Sequence, residues 1–153
     1  MLRKFFNNKG FTFLELLIVI IILGILVTIA YPKFEKEKAR WELNTVARQM
    51  VTDIRKWQQR AVVEQKYGLK ITINKEKRKY SLKENLQEIE SRDISGAVTS
   101  LSVAPETFTT VEFYPTGMTS GAGHFTLKNR YGEYKYIVIL NTTGRVRISS
   151  TPP

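Results

Sequence analysis

Two short arrangements in this chain of 153 residues set charge where it could do chemistry. The first is Glu15, which lies five positions after Gly10 and inside an apolar stretch, with Phe11–Leu14 before it and Leu16–Tyr31 after it. A carboxylate near the centre of a membrane-length segment costs several kcal/mol, and less near its end, so it needs a partner or a route to the headgroups. The second is Gly144-Arg145-Val146-Arg147. Two arginines separated by one residue on a strand point to one face, with Val146 on the other. Behind a turn glycine, at a sheet end, their guanidinium forks could reach phosphate oxygens. Each arrangement also has a plain reading. Glu15 could snorkel to the headgroups or stay protonated, and the strand could bury Val146 and Ile148 with its arginines outside for solubility.

The rest of the inventory excludes more than it offers. With no Cys and a lone His124, the chain has no disulfide framework, no thiolate zinc site, no Cys nucleophile, no lipobox-type lipid anchor and no His relay. No elbow motif surrounds a Ser or Thr. No catalytic site, metal or cofactor is therefore expected, and the chain reads as a non-enzyme. Its 24 Lys+Arg against 14 Asp+Glu, a net +10 with pI near 9.9, make nucleic acid or anionic lipid plausible partners. The densest cluster, Asn74–Lys79, reads as a solvated hairpin tip. His124, after Gly123 at a strand start, reads as structural. Tyr131, Tyr134 and Tyr136 could stack bases, although aromatic residues on strands are usually packing residues.

The elements that must position these groups follow from hydropathy and period. Phe11–Tyr31 is 21 residues, roughly 31 Å as a helix at about 1.5 Å per residue, close to a hydrocarbon core of about 30 Å. It predicts a single transmembrane helix. It is too long for a secretory h-region and lacks a small-x-small cleavage site. Cations flank it on both sides (Arg3, Lys4 and Lys9; Lys33, Lys36, Lys38 and Arg40), so the positive-inside count does not decide its topology. Pro32 should kink or interrupt the helix, having no N–H and a ring that crowds the preceding turn. Beyond it, Leu43, Val46, Ala47, Met50, Ile54, Trp57 and Ala61 recur at spacings of three and four, with Arg48, Gln49, Asp53, Arg55, Lys56 and Gln59 between them. This predicts an amphipathic helix over 32–65 whose stripe packs against a globular head.

From residue 66 the pattern turns to β. Tyr67–Ile73 and Arg78–Lys83 flank Asn74-Lys75-Glu76-Lys77 as a hairpin. Residues 84–105 read as irregular, with a short strand at Ala97–Val103. Thr107–Tyr114, His124–Asn129, Tyr134–Asn141 and Arg145–Ser149 read as further strands, separated by turns bearing Gly117, Gly132 and Gly144. Residues 150–153 read as a tail. The fold class expected is α+β: one long N-terminal helix carrying a mostly antiparallel β head.

The run Lys9-Gly10-Phe11-Thr12-Phe13-Leu14-Glu15-Leu16-Leu17-Ile18-Val19-Ile20 resembles the class III leader junction of type IV pilins and pseudopilins. The resemblance implies that residues 1–10 are a basic leader removed after Gly10 by a prepilin peptidase. It also implies that Phe11 becomes an N-methylated terminus and that Glu15, the fifth mature residue, serves filament assembly. The Phe11 amine of one subunit would then meet the Glu15 carboxylate of a neighbour, each charge offsetting the other's desolvation. A helix bent near Pro32 is consistent with that family. Phe113-Tyr114-Pro115-Thr116-Gly117 followed by Gly144-Arg145-Val146-Arg147 resembles the GspH/FimT branch of minor pseudopilins and minor pilins. The absent Cys pair and an acid-free 141–153 depart from major pilins and from the calcium-binding major pseudopilin.

These resemblances imply a subunit that primes or assembles a type II secretion pseudopilus or a type IV pilus. Before assembly it would be single-pass in the cytoplasmic membrane, with its head on the extracytoplasmic side. Its partners would be the peptidase, other pilin or pseudopilin subunits, the inner-membrane assembly platform and membrane lipid. The alternative function is DNA capture for uptake through Arg145 and Arg147, with Lys128, Arg130 and Lys135 widening the patch.

Overall fold

The computed structural model describes residues 11–153; the leader and Gly10 lie outside the described residues. The chain divides between Glu37 and Lys38 into two units, and each is treated by itself. A helix, α1, runs Phe13–Glu64 over 52 residues, with Pro32 inside it. The expected interruption at Pro32 is absent, since helical structure continues on both sides of it. Within a helix a proline removes one hydrogen bond, and the bonds of the neighbouring turns carry the element past it.

In the unit that precedes Lys38, the α1 side chains are almost all exposed, Leu, Ile and Val included. This stretch alone among the described residues is long and apolar enough to cross a membrane, by length and composition.

In the unit from Lys38 onward, eight strands follow α1: β1 Leu69–Asn74, β2 Lys79–Glu84, β3 Gln87–Asp93, β4 Ser100–Ala104, β5 Thr110–Phe113, β6 Gly123–Lys128, β7 Tyr134–Ile139 and β8 Val146–Ser149. They form two four-stranded sheets, ordered β3-β2-β1-β5 and β4-β6-β7-β8. Every pairing between strands is antiparallel. The α+β class expected from the sequence is the class observed.

One apolar core joins the α1 stripe to the inner faces of both sheets. Leu43, Met50, Ile54 and Trp57 meet Leu69, Ile71 and Leu82 of the first sheet and Phe125, Leu127 and Ile137 of the second. Alternation fixes the register. Odd positions of β6 (Phe125 and Leu127) are buried and even ones are not, and a one-residue slip would put the whole apolar set into water.

Three further expectations need correction. Residues 87–93, read as irregular, are strand β3. The strand read over Ala97–Val103 is Ser100–Ala104, because the Ala97 and Val98 amides both donate to the Ile94 carbonyl and close a turn. Asp53, placed on the polar side of α1, is only 3% exposed. Its carboxylate accepts the Tyr80 hydroxyl at 2.7 Å, Arg92 Nε at 3.0 Å and Gln49 Nε2 at 2.9 Å. A buried charge is tolerable when hydrogen-bonded and paired in this way, and it pins α1 to β2 and β3.

Candidate functional site

Two regions answer to the two arrangements read from the sequence. At the helix start, Thr12 and Glu15 form a reciprocal cap. Glu15 Oε2 accepts the Thr12 backbone N–H at 2.8 Å and its hydroxyl at 3.0 Å, while Thr12 Oγ1 accepts the Glu15 N–H at 3.2 Å. This is a capping box, T-x-x-E, which satisfies donors that the first helical turn otherwise leaves open. Sequence reading treated Glu15 as a lone charge in an apolar run and missed its local partner. The spacing of three from Thr12 was the available signal. Phe11, beside it, is exposed.

The second region lies where two remote turns meet. Gly144 has φ of +59° and Gly117 of +83°. A Cβ on Gly144 would strike the Gly117 carbonyl oxygen and Gln58 Nε2. Gln58 in turn donates to the Gly117 carbonyl at 2.6 Å. Glycine at 144 is thus required both by backbone conformation and by close approach. The contact joins Phe113–Gly117 to Gly144–Arg147, the two stretches that carry the second resemblance, and anchors both on α1. Beyond it the Arg145 carbonyl accepts the Leu140 N–H at 3.1 Å, and Val146 is buried.

Arg145 and Arg147 are exposed. Val146 goes into the core as expected, but Ile148 does not follow it, being 37% exposed. β8 is an edge strand, and α1 runs alongside it: Arg55 Nη2 donates to the Val146 carbonyl at 3.0 Å. Between them lies an open groove of about 530 Å³, lined by Arg48, Val51, Thr52, Arg55, Arg147 and Ile148. Among the described residues no carboxylate lies within ion-pair reach of Arg48, Arg55, Arg145 or Arg147. Arg48 and Arg55 bring two guanidinium groups to this groove and Arg147 borders it from β8, an arrangement that could receive an anion with several oxygens.

Arg48 and Arg55 escaped the sequence reading. Their separation of seven, two helical turns, puts them on one side of α1 and was the signal. The residues expected to widen the patch lie elsewhere. Lys128 stands opposite Tyr134 on β7, four residues along that strand from Val138, which faces Arg147. That is about 13 Å at roughly 3.3 Å per residue. Arg130 sits in the following turn, its guanidinium 5.3 Å from the Tyr131 ring centroid. Lys135 donates to Ser150 Oγ at 2.8 Å.

Among the described residues no group of three or more His, Cys, Asp or Glu could hold a metal ion. No curated protein and no solved structure matches the chain. Residues 5–31 match the family model of the prokaryotic N-terminal methylation motif. That match covers Lys9, the Gly10–Phe11 junction, the capping box and the apolar run, and it supports a type IV pilin-like subunit that is processed by a prepilin peptidase and assembles with other pilins.

Proposed function

We propose that the chain is a GspH/FimT-type minor subunit of a type IV filament machine, either a secretion pseudopilus or a pilus, and that its role is mechanical rather than enzymatic. The peptidase cuts after Gly10 and Phe11 is methylated. The apolar part of α1 then leaves the membrane for the filament core, guided by Glu15. The observation that carries this reading is the methylation motif over 5–31, which overlaps the apolar start of α1, followed by a unit from Lys38 onward in which the rest of α1 shares a core with two antiparallel sheets. The test is incorporation. Coexpressed with its neighbouring subunits, the wild-type chain should enter sheared filaments, and Glu15→Ala should stay in the membrane fraction with an unchanged head.

A second reading, DNA capture, is favoured by the acid-free groove of Arg48, Arg55 and Arg147 beside exposed Arg145. Phosphate contacts of this kind carry no base information. Two to three of them give log K against log salt a slope of about −2 to −3. Duplex binding by the full chain in non-ionic detergent should flatten by about that slope in Arg145→Ala/Arg147→Ala; binding indifferent to the pair would exclude this reading.

A further inference from the structure

The two sheets present outward faces of opposite character. On the first sheet, charges are paired across strands. Lys70 stands between Lys83 and Glu112, Lys79 faces Asp93, and Lys83 faces Glu88. No aromatic ring lies among them. This is how an ordinary solvated sheet face is built.

The outward face of the second sheet carries no acid and no amide. Its even positions on β6 are His124, Thr126 and Lys128, those on β7 are Tyr134, Tyr136 and the buried Val138, and β8 supplies Arg147 and Ser149. β4 adds only Ser100, Ser102 and Ala104. The rings form a continuous row. Tyr134 and Tyr136 lie 6.3 Å apart and nearly parallel at 15°, and His124 meets Tyr136 edge-on at 5.8 Å. Tyr134 is 42% exposed. Lys128 Nζ stands 5.2 Å from the Tyr134 ring centroid at one end of the row, and at the other end Arg147 lies across β7 from His124, with Val138 between them. The inward residues of the same strands (Phe125, Leu127, Ile137 and Ile139) already fill the core, so the outward rings are not needed there.

We propose that this face binds single-stranded nucleic acid, stacking unpaired bases on Tyr134, Tyr136 and His124 and taking phosphates on Lys128 and Arg147. The occupant follows from charge and ring chemistry together. An aromatic row between cations, on a chain of net +10, suits a polyanion that has free π-faces. A duplex hides its base faces and could use only the two cations. A glycan would lean on side-chain carboxylate and amide acceptors for its hydroxyls, and the face has none. The proposal rests on the second reading above, that this subunit meets nucleic acid, and goes beyond it by naming an unpaired strand and an aromatic face that shares only Arg147 with the groove.

The test is fluorescence anisotropy of the full chain in non-ionic detergent with a labelled oligothymidylate of twelve nucleotides. An abasic deoxyribose-phosphate strand of equal length, a duplex and chitohexaose serve as competitors. The wild type should bind oligothymidylate at least about tenfold more tightly than the abasic strand, as one stacked base contributes that much. Tyr134→Ala/Tyr136→Ala should lose about tenfold for oligothymidylate and nothing for the abasic strand, while Tyr136→Phe keeps the affinity. Should the double variant misfold, the wild-type abasic comparison and Tyr136→Phe still decide. Equal affinity for both strands, or displacement by chitohexaose, overturns the proposal. Duplex preferred over single strand, with loss in Arg48→Ala and none in Tyr134→Ala/Tyr136→Ala, overturns it and leaves the groove reading standing. No binding to any nucleic acid overturns both.

Discussion

Glu15 and Thr12 hold each other at the start of α1, and both bonds to the carboxylate fall on one oxygen, Oε2, at 2.8 and 3.0 Å. A carboxylate offers about four acceptor sites over two oxygens, so Oε1 remains available to a cation from outside the subunit. The intramolecular cap and an intermolecular ion pair are therefore compatible. The cap gives the carboxylate a defined position before any neighbour arrives, which lowers the ordering cost of pairing.

Cap and charge can be separated by substitution. Gln can occupy the last position of a capping box, so Glu15→Gln keeps the cap and loses the charge, whereas Thr12→Val does the reverse. Filament incorporation should fall at least about tenfold in Glu15→Gln, by the loss of a desolvated ion pair, and only modestly in Thr12→Val. Quantitative blotting of sheared filaments against membranes measures both.

Thr12→Val should loosen the first turn by about 1 kcal/mol. The Glu15 N–H donates to Thr12 Oγ1 and the Leu16 N–H to the Thr12 carbonyl. Hydrogen exchange at these two amides should accelerate about fivefold, with head amides unchanged.

Gly144→Ala should destabilise the head by about 1–3 kcal/mol. The added methyl meets the Gly117 carbonyl and Gln58 at a backbone φ of +59°. A denaturant midpoint lowered at constant m-value would report it. Gly96→Ala is the control, as nothing lies within 4 Å of a Cβ there.

Tyr80 titrates well above the ordinary tyrosine range, first because burial disfavours the phenolate and then because its hydroxyl is bonded to Asp53. The folded state keeps that proton above about pH 10, where an unfolded tyrosine loses it. This contribution is complete below the unfolded pKa and is lost as pH rises toward the folded one. Thermal stability should decline from about pH 10 upward, and Tyr80→Phe should flatten that alkaline limb. Asp53→Ala should cost about 2–3 kcal/mol at neutral pH, since it strips partners from buried Tyr80 and from Arg92.

Much of this was legible in the sequence where one period or one short motif carried it. The apolar span and the stripe from Leu43 to Ala61 are local patterns; the first falls within α1, and the second is buried along α1 where its period put it. β3 was not legible. It is a charged edge strand, QEIESRD, almost wholly exposed, entered through a turn at Asn85-Leu86 where Leu86 is 93% exposed. An edge without a buried face leaves no apolar alternation to read. Asp53 was misplaced because its partners, Tyr80 and Arg92, are 27 and 39 residues away. At the candidate groove, Arg147 was visible as part of a motif. Its companions Arg48 and Arg55 come from α1, and only long-range packing brings them to β8.

The measurement that bears most directly on the central claim is the intact mass and N-terminal residue of the mature chain, purified from membranes that contain a prepilin peptidase. The account predicts a chain beginning at N-methylated Phe11, lighter by residues 1–10 and heavier by one methyl group. A mature chain that still begins at Met1, or that is cut anywhere other than between Gly10 and Phe11, would contradict it.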